Sequence, residues 1–253
     1  MVAEPGSQPR SPRQRALATV AALSARHPAV CALTHSNPLE LLVATILSAQ
    51  TTDERVNQVT PALFARMRSA ADFAGADAGE LEELIHATGF FRAKARSLIA
   101  MGQTISDRFQ GQVPKTMGEL VQIPGVGRKT ANVVLGVGFG VPGFAVDTHV
   151  TRLTNLLGLV KTKDPVRIEA EICKLVPAEE WTGFSLRLIQ HGRLVCVARR
   201  PRCELCPMSG WCPSSRLRPG GPDRLGAPPG PARSPRSGRP ALSTSAQSGG
   251  KTA

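Results

Sequence analysis

The sequence predicts an all-α protein. Helix-start signals recur along the chain with short connections between them, and no run of residues shows the alternation of a half-buried strand. The 253 residues are 42% hydrophobic, which is enough for one large domain or two modest domains with buried cores. We therefore expect helices that pack against helices around the core.

Capping residues and apolar spacing predict the individual helices. Asn37 followed by Pro38 combines an N-cap with proline at the first helical position. Thr51 with Glu54 has the spacing of a capping box, a reciprocal pair of side-chain caps. The predicted helices and helix starts, in order, are 13–25, 38–48, a start at Thr51, 77–89, 91–109, starts at Thr116, Arg128 and Asp147, and starts at Asp164 and Pro177.

Residues 120–135 are typical of a helix, a hairpin and a second helix. Pro124 ends the first helix, and Gly125 and Gly127 permit a tight turn whose backbone N–H groups can approach another molecule. With the N-terminus of the second helix, the turn forms a general anion site. Lys129 lies in the first turn of that helix and is a candidate nucleophile. The alternative is a glycine-rich turn that only packs two helices.

Charge and composition indicate an acidic partner. The net charge of +12 suggests a polyanion such as nucleic acid, although seven basic residues and one acidic residue lie from residue 213 onward. We expect residues 1–12 and the Pro/Gly/Ser/Arg tail 213–253 to be disordered. No apolar run is long enough to span a bilayer and the N-terminus lacks a signal-peptide core, so the sequence predicts a cytoplasmic protein.

Four of the six cysteines crowd one short segment with the pattern C-x6-C-x2-C-x5-C. They are Cys196, Cys203, Cys206 and Cys212. In a reducing compartment such a cluster favours a metal site over disulfides. Four thiolates hold either zinc or an iron–sulfur cluster, and the spacing leaves both open. Cys31 and Cys173 stand apart and are expected to be small core residues.

Asp147 begins the helix that follows the hairpin unit. An aspartate in this position is most often an N-cap, and it can equally place a carboxylate opposite Lys129 in a cleft. His149, two residues later, is the histidine with a motif context.

Taken together, these motifs resemble those of the endonuclease III family of helix-hairpin-helix DNA glycosylases, over about residues 13 to 212. The motifs that carry the resemblance are Leu47-Ser48-Ala49-Gln50, Ile123-Pro124-Gly125-Val126-Gly127-Arg128-Lys129, Val146-Asp147-Thr148-His149 and the four-cysteine loop. The resemblance implies a six-helix barrel domain with the helix-hairpin-helix at 31–141. Beside it, the N-terminal helix (13–30) and residues 142–212 would form a helical iron–sulfur domain, in which the four cysteines hold a [4Fe–4S] cluster.

The resemblance also implies an activity. Such an enzyme is a monomer that acts on double-stranded DNA containing damaged pyrimidines or abasic sites, associates with the nucleoid when bound, and works in base excision repair. It removes an oxidised pyrimidine and cleaves the strand on the 3′ side by β-elimination through a lysine Schiff base. Lys129 and Asp147 would be the catalytic residues. The implied DNA-binding residues are Gln50, Phe90, Gly125, Gly127, Arg128 and His149.

Three alternatives have different requirements. An adenine mismatch glycosylase of the same superfamily typically has a catalytic glutamate in the helix 38–48, where this sequence has Thr45, and lacks the hairpin lysine. A non-catalytic helix-hairpin-helix module needs neither Lys129 nor Asp147. A zinc-dependent DNA-binding regulator would use the cysteines and leave the hairpin unexplained.

Overall fold

The helices and turns predicted from the sequence are present in the computed structural model, which describes residue 9 and residues 11–217. Over these residues the chain forms α-helices and short 3-10 or π turns and contains no strand, which confirms the all-α class.

The helices follow one another with short connections. In chain order they are α1 Pro12–Ser24, α2 Pro38–Leu47, α3 Asp53–Arg66, α4 Ala70–Ala74, α5 Ala78–Ile85, α6 Phe91–Phe109, α7 Met117–Leu120, α8 Arg128–Val133, α9 Thr148–Leu156, α10 Pro165–Leu175 and α11 Trp181–Leu194. Short 3-10 turns lie at His86–Thr88, Ala178–Glu180 and Cys203–Leu205, and a π turn at Val134–Gly138 continues α8.

Side-chain caps explain where most of these helices begin. Asn37, Asp77, Thr116 and Asp164 each accept a hydrogen bond from a backbone N–H in the first turn, as predicted. The prediction for α3 is wrong by one residue, because Thr52 caps the helix. The hydroxyl of Thr51 instead bonds to groups on other segments of the chain.

Two elements were not predicted. The short α4 begins at a capping box formed by Ser69 and Asp72 and packs on α6, whereas the π turn has no strong sequence signal and packs on α2. Residues 213–217, which we assigned to the disordered tail, are described as turns in which Ser215 is fully buried. The other residues of the predicted disordered segments, 1–8, 10 and 218–253, lie outside the described part of the chain.

Two hydrophobic clusters form the core. The first is built from buried residues of α2 to α8 and its flanking turns, between Leu33 and Leu135. The second combines α1 with α9, α10 and α11, and Cys196, Cys206 and Cys212 of the C-terminal loop pack against it. The division into domains at residues 30 and 141 stays a prediction.

Two glycines allow the segment after α8 to pass close to its neighbours. A Cβ at Gly143 would lie 2.6 Å from the carbonyl oxygen of Asn132 on α8. A Cβ at Gly136 would lie against the side chain of Thr182 on α11, whose hydroxyl also hydrogen-bonds to Gly143. This close packing fixes α8, α11 and the segment leading to α9 relative to one another.

Among the described residues, no helix is both long and apolar enough to cross a membrane.

The packing of α6 on α4 predicts a stability effect. A Cβ at Gly102 would lie 2.5 Å from the backbone nitrogen of Ala74 and 2.7 Å from the carbonyl oxygen of Ala70. We expect Gly102→Ala to lower the free energy of unfolding by roughly 1–3 kcal/mol, because backbone atoms must move apart. Urea unfolding followed by circular dichroism measures the change.

Gly118→Ala is the matched control, since no atom lies within 4 Å of a Cβ at Gly118 in α7. Its unfolding midpoint should be unchanged or slightly higher. Equal midpoints for Gly102→Ala and wild type would contradict the tight contact between α4 and α6.

Candidate active site

The hairpin joins α7 to α8 as predicted. Gly125 has a φ of 81°, a left-handed conformation that favours glycine, and a Cβ there would lie 3.1 Å from the Cβ of Ser97 on α6. Gly127 occupies the N-cap of α8 and faces open space, and no described side chain caps this helix. The first backbone N–H groups of α8 are therefore accessible to an approaching molecule.

Lys129 and Asp147 line the same cleft, which has a volume of about 300 Å³. Lys129 is exposed in the first turn of α8, and its amine has neither an ion-pair nor a hydrogen-bond partner among the described residues. Asp147 is half-buried, and its Oδ1 accepts a hydrogen bond from Val150 N at 2.8 Å. Oδ1 thus caps α9, while Oδ2 has no hydrogen-bond or ion-pair partner among the described residues and is available to the cleft.

Most other residues of the cleft come from segments that carry no motif. Its apolar side chains include Val30, Leu33, Leu186, Ile189 and Leu194. Its polar residues include Gln190 and an ion pair between Asp53 on α3 and Arg193 on α11, with Arg193 Nη1 2.6 Å from Asp53 Oδ2. Sequence reasoning missed these residues because only the folding of distant segments brings them together.

Cys31 also lines the cleft. It is half-buried and packs against the first hydrophobic cluster, as expected of a small core residue. Burial raises the pKa of its thiol above the usual range, so the group stays protonated near neutral pH. Cys173 is similar, since burial and the nearby Glu169 carboxylate raise its pKa to about 12.

Gln50 and Phe90 lie on two turns with left-handed backbone conformations. Gln50 has a φ of 55° in the turn after α2, and Phe90 has a φ of 47° at the N-cap of α6. Phe90 is 68% exposed, which is unusual for a phenyl ring, and Gln50 is also exposed. Neither residue lines the cleft of Lys129 and Asp147, so they form a neighbouring surface feature rather than part of that cavity.

His149 lies in a second depression, which also includes Arg152 and Gly192. Arg152 Nη2 is 3.2 Å from His149 Nδ1, and because arginine only donates, this ring nitrogen accepts. Burial lowers the pKa of His149 most strongly, the Asp147 carboxylate raises it, and the Arg152 guanidinium lowers it, with a net decrease. The imidazole is therefore neutral near pH 7, with its proton on Nε2.

Arg128 is held by an ion pair. Its Nε and Nη2 donate to the two carboxylate oxygens of Glu169 on α10, at 2.7 and 2.9 Å. Nearly half of the Arg128 side chain stays exposed, whereas the Glu169 carboxylate is mostly covered. This bidentate contact joins residues 41 positions apart, and no local sequence pattern predicts it.

The four cysteines of the C-terminal loop are all half-buried and influence one another. Burial, followed by the charges of Cys196, Cys212 and Cys203, raises the pKa of Cys206 to about 11. No three described His, Cys, Asp or Glu side chains converge closely enough to hold a single metal ion. Four neighbouring thiols in one short loop fit a soft, thiolate-bound iron centre.

Two buried histidines connect this loop to the helices beneath it. His191 Nε2 lies 3.5 Å from Cys206 Sγ, and His191 Nδ1 lies 3.0 Å from His27 Nε2. Burial first, and then the charge of His27, lowers the pKa of His191 to about 4. If Cys206 is a thiolate ligand of the cluster, it would accept a hydrogen bond from the neutral imidazole, with the His191 proton on Nε2.

Family models match most of the described chain. The model for the HhH-GPD superfamily of base excision DNA repair proteins matches residues 43–178. The model described as the iron-sulfur binding domain of endonuclease III matches residues 196–212, which span all four loop cysteines. Together they include Lys129, Asp147 and the proposed metal ligands.

Similar proteins are known in sequence and in structure. The chain is 51% identical over 208 residues to endonuclease III of Synechocystis sp., covering 81% of this chain and 95% of that protein. It is 38% identical over 180 residues to endonuclease III of Escherichia coli, covering 71% and 85% of the two chains. A solved structure of a trapped endonuclease III–DNA covalent intermediate superimposes with a TM-score of 0.76 at 42% identity, covering 79% of this chain and 95% of that one.

The cysteine loop predicts a defined response to substitution. Replacing Cys203, Cys206 or Cys212 by alanine should abolish stable iron binding and the visible absorption of the purified protein, because each thiolate completes the ligand shell. Iron content per chain, measured by a colorimetric chelator, reports the loss. Cys173→Ala is the control and should keep its iron, whereas a full complement of iron in Cys206→Ala would exclude Cys206 as a ligand.

Proposed function

The chain belongs to the endonuclease III family of the HhH-GPD superfamily of base excision DNA repair proteins, and we propose that Lys129 and Asp147 are its catalytic residues. It is a DNA glycosylase and abasic-site lyase with an iron–sulfur cluster, and it binds DNA. The observation that supports the catalytic assignment is the shared cleft, in which the partnerless amine of Lys129 and the carboxylate of Asp147 are brought together from α8 and α9.

In the proposed reaction, a damaged pyrimidine nucleotide turns out of the duplex into the cleft, because its C1′ is inaccessible inside the stack. The neutral amine of Lys129 attacks C1′, and the bond from C1′ to the base breaks. The bonding electrons leave with the base, which takes up a proton. The sugar ring then opens to a Schiff base with Lys129, loss of a C2′ proton follows, and the C3′–O bond breaks on the 3′ side of the lesion.

Asp147 has two roles in this scheme. Its carboxylate stabilises the positive charge that develops on the sugar during base departure. It also accepts the proton that the Lys129 amine loses on forming the new bond. The N-cap hydrogen bond to Val150 keeps the carboxylate oriented while its second oxygen does this chemistry.

Cys196, Cys203, Cys206 and Cys212 would hold the cluster, which when bound would cross-link the C-terminal loop. These ligands lie on the loop beside α9 and α11, and neither Lys129 nor Asp147 is among them. The residues of the cleft therefore carry the chemistry, and the loop holds two of the helices that shape it.

The exposed side chains beside the cleft are suited to the opened duplex. We assign Gln50, Phe90 and His149 to the space left by the flipped nucleotide and to its unpaired partner base. An exposed phenyl ring can stack on bases, and a carboxamide without a partner in the described chain can hydrogen-bond to a base edge. The neutral imidazole of His149 adds a donor at Nε2.

The hairpin supplies the backbone contacts in this proposal. The N–H groups around Gly125 and Gly127 would hold a phosphate of the damaged strand, and the half-exposed Arg128 would contact the same strand. Contacts of this kind position the DNA without reading its sequence, and they make binding weaken steeply as salt is added.

The alternatives fit the cleft less well. Thr45 lines the cleft where an adenine mismatch glycosylase would need an acid, and its hydroxyl donates to the carbonyl of Leu41 in its own helix. A non-catalytic DNA-binding module would have no use for a free lysine amine and a carboxylate in one cavity. Both features support the lyase assignment.

The proposed substrate is double-stranded DNA with an oxidised or ring-saturated pyrimidine or an abasic site. We propose that the enzyme acts as a monomer, because a single chain supplies both Lys129 and Asp147. We also propose that it acts in the cytoplasm, at the nucleoid, where its substrate is found.

Borohydride trapping tests the nucleophile. Wild-type protein should form a covalent adduct with duplexes that carry thymine glycol or an abasic site, and Lys129→Ala should form none, because no amine remains in the cleft. Asp147→Asn should slow adduct formation by roughly 10²- to 10⁴-fold.

Lys163→Ala, which removes another exposed lysine, is the matched control and should trap like wild type. Normal trapping by Lys129→Ala would exclude it as the nucleophile. An active wild-type protein that gives no adduct would indicate a monofunctional glycosylase that uses water.

Salt titrations separate the two possible roles of Arg128. If Arg128 contacts a phosphate, Arg128→Ala should weaken binding to all duplexes and reduce the slope of log K against log salt by about 1. Glu169→Gln removes the ion-pair partner and keeps the guanidinium, so this slope should stay at the wild-type value. The same loss in both variants would show that Arg128 acts only through its ion pair with Glu169.

A further inference from the structure

A buried lysine, Lys94, joins the turn after α2 to the turn before α6. Its Nζ donates hydrogen bonds to Leu47 O, Thr51 Oγ1 and Thr88 O, each at 2.8 Å. The residue is only 5% exposed, although it lies in the first turn of α6. One ammonium group thus bonds to the end of α2, to the turn that follows it and to the 3-10 turn at His86–Thr88.

The hydroxyl of Thr51 closes this network. It accepts a hydrogen bond from Lys94 and donates one to the carbonyl of Thr88, so the three groups form a triangle. The side chain of Thr51 is consequently unavailable to cap α3, a role that Thr52 takes. The two turns are therefore connected directly as well as through the lysine.

The charge of Lys94 is compensated by oxygen dipoles and not by an acid. No carboxylate pairs with it among the described residues, and burial lowers its pKa below the usual range. The carbonyls of Leu47 and Thr88 lie at the C-terminal, negative ends of α2 and the 3-10 turn, where a cation is favoured. A neutral side chain in the same space would remove the donor to the carbonyl of Leu47 and leave the carbonyl of Thr88 with the Thr51 hydroxyl alone.

The turns that Lys94 joins are the strained ones. Gln50 precedes Thr51, Phe90 lies two residues after Thr88, and both have left-handed backbone angles that cost energy for residues other than glycine. The remaining described non-glycine residue with positive φ is Gln110, the C-cap of α6, where this conformation is common. Strain held in place by a buried network is typical of functional turns.

We propose that Lys94 is a positioning residue for DNA opening, whose ammonium holds the turns of Gln50 and Phe90 at the spacing at which both side chains enter the opened duplex. The inference rests on the proposed function, because this spacing matters only when a nucleotide has left the stack. Lys94 itself is buried and contacts neither DNA nor the reacting sugar. It acts through pre-organisation of the two turns.

Binding to a duplex that cannot react tests the proposal. The probe is a duplex with a tetrahydrofuran abasic analogue, and the same duplex without the analogue is the reference. The measured quantity is the Kd for the undamaged duplex divided by the Kd for the analogue duplex. Lys94→Met, which keeps the length of the side chain and removes its donors, should lower this ratio by about tenfold. Its affinity for the undamaged duplex should change by less than about twofold, because backbone contacts do not involve the two turns.

Two further variants separate positioning from general destabilisation. Gly102→Ala weakens the packing of the same helix on α4 without touching the network, and it should keep the wild-type ratio. Thr51→Val removes the shared hydroxyl with little change of volume, so it remains informative if Lys94→Met does not fold. Thr51→Val should lower the ratio in the same direction, and a wild-type ratio in folded Thr51→Val and Lys94→Met would overturn the proposal.

A double-mutant cycle provides the readout that a purely structural lysine would not change. If Lys94 acts through the two turns, Lys94→Met should have less than about twofold effect in a protein that already carries Gln50→Ala and Phe90→Ala. An undiminished effect in that background would overturn the proposal. A wild-type protein that does not distinguish the two duplexes would instead overturn the proposed function, on which this inference rests.

Discussion

The shape of the cleft that Lys129 and Asp147 line depends on a close-packed junction between α8, α11 and the segment that leads to Asp147. At this junction Gly143 passes so close to the carbonyl of Asn132 that no side chain fits between them. Two side chains of α11 bond to the same segment. The hydroxyl of Thr182 donates to the carbonyl of Gly143, and Ser185 Oγ donates to Ala145 O at 2.7 Å. The backbone just before Asp147 is thus bonded to α11 and packed on α8, the helix that carries Lys129. The relative position of Lys129 and Asp147 follows from this junction rather than from any direct contact between them.

Several arginines of the described chain bond to groups within the protein. Arg15 donates to the carbonyls of Leu157 and Gly158, and Arg187 donates to His27 O. Arg152 bonds to the carbonyls of Gly192 and Cys196, and Arg128 to Glu169. A guanidinium whose N–H groups are bonded within the protein still contributes to the field of the protein, but it has fewer donors left for a phosphate. The net charge therefore correctly indicated an acidic partner while overstating the number of side chains that are free to bind it.

The features that could be predicted from the sequence, above all the helix starts, depend on local interactions. N-caps such as Asn37, Asp77 and Asp164 act within one helical turn, so their effect is visible in a few residues. The cleft is different, because Asp53, Gln190 and Arg193 are brought to Lys129 by packing between distant helices and carry no local signature.

Lys94 is a second residue whose environment could not be predicted from local sequence patterns. In the sequence it is an ordinary lysine of a helix with several basic residues, and nothing nearby indicates that it is buried. Its partners at Leu47 and Thr51 lie more than 40 residues earlier, and the hydroxyl of Thr51 is drawn away from the cap that its spacing to Glu54 predicted. A local rule fails here because a long-range contact uses the same group, and it fails at a turn that carries a proposed DNA-binding residue.

The cysteine loop influences the active site through the helices on which it rests. Cys196 is bonded to Arg152, and Cys206 contacts His191, which lies on α11. Cys212 Sγ approaches Leu156 O at the end of α9. The loop therefore contacts α9, whose N-cap is Asp147, and α11, which lines the cleft. If the four cysteines hold the cluster as proposed, its binding would make this contact more rigid, because it would cross-link positions spread over 17 residues of the loop. In the proposed mechanism the cluster would thus stabilise the helices that position Asp147, and the side chains of the cleft would carry the chemistry.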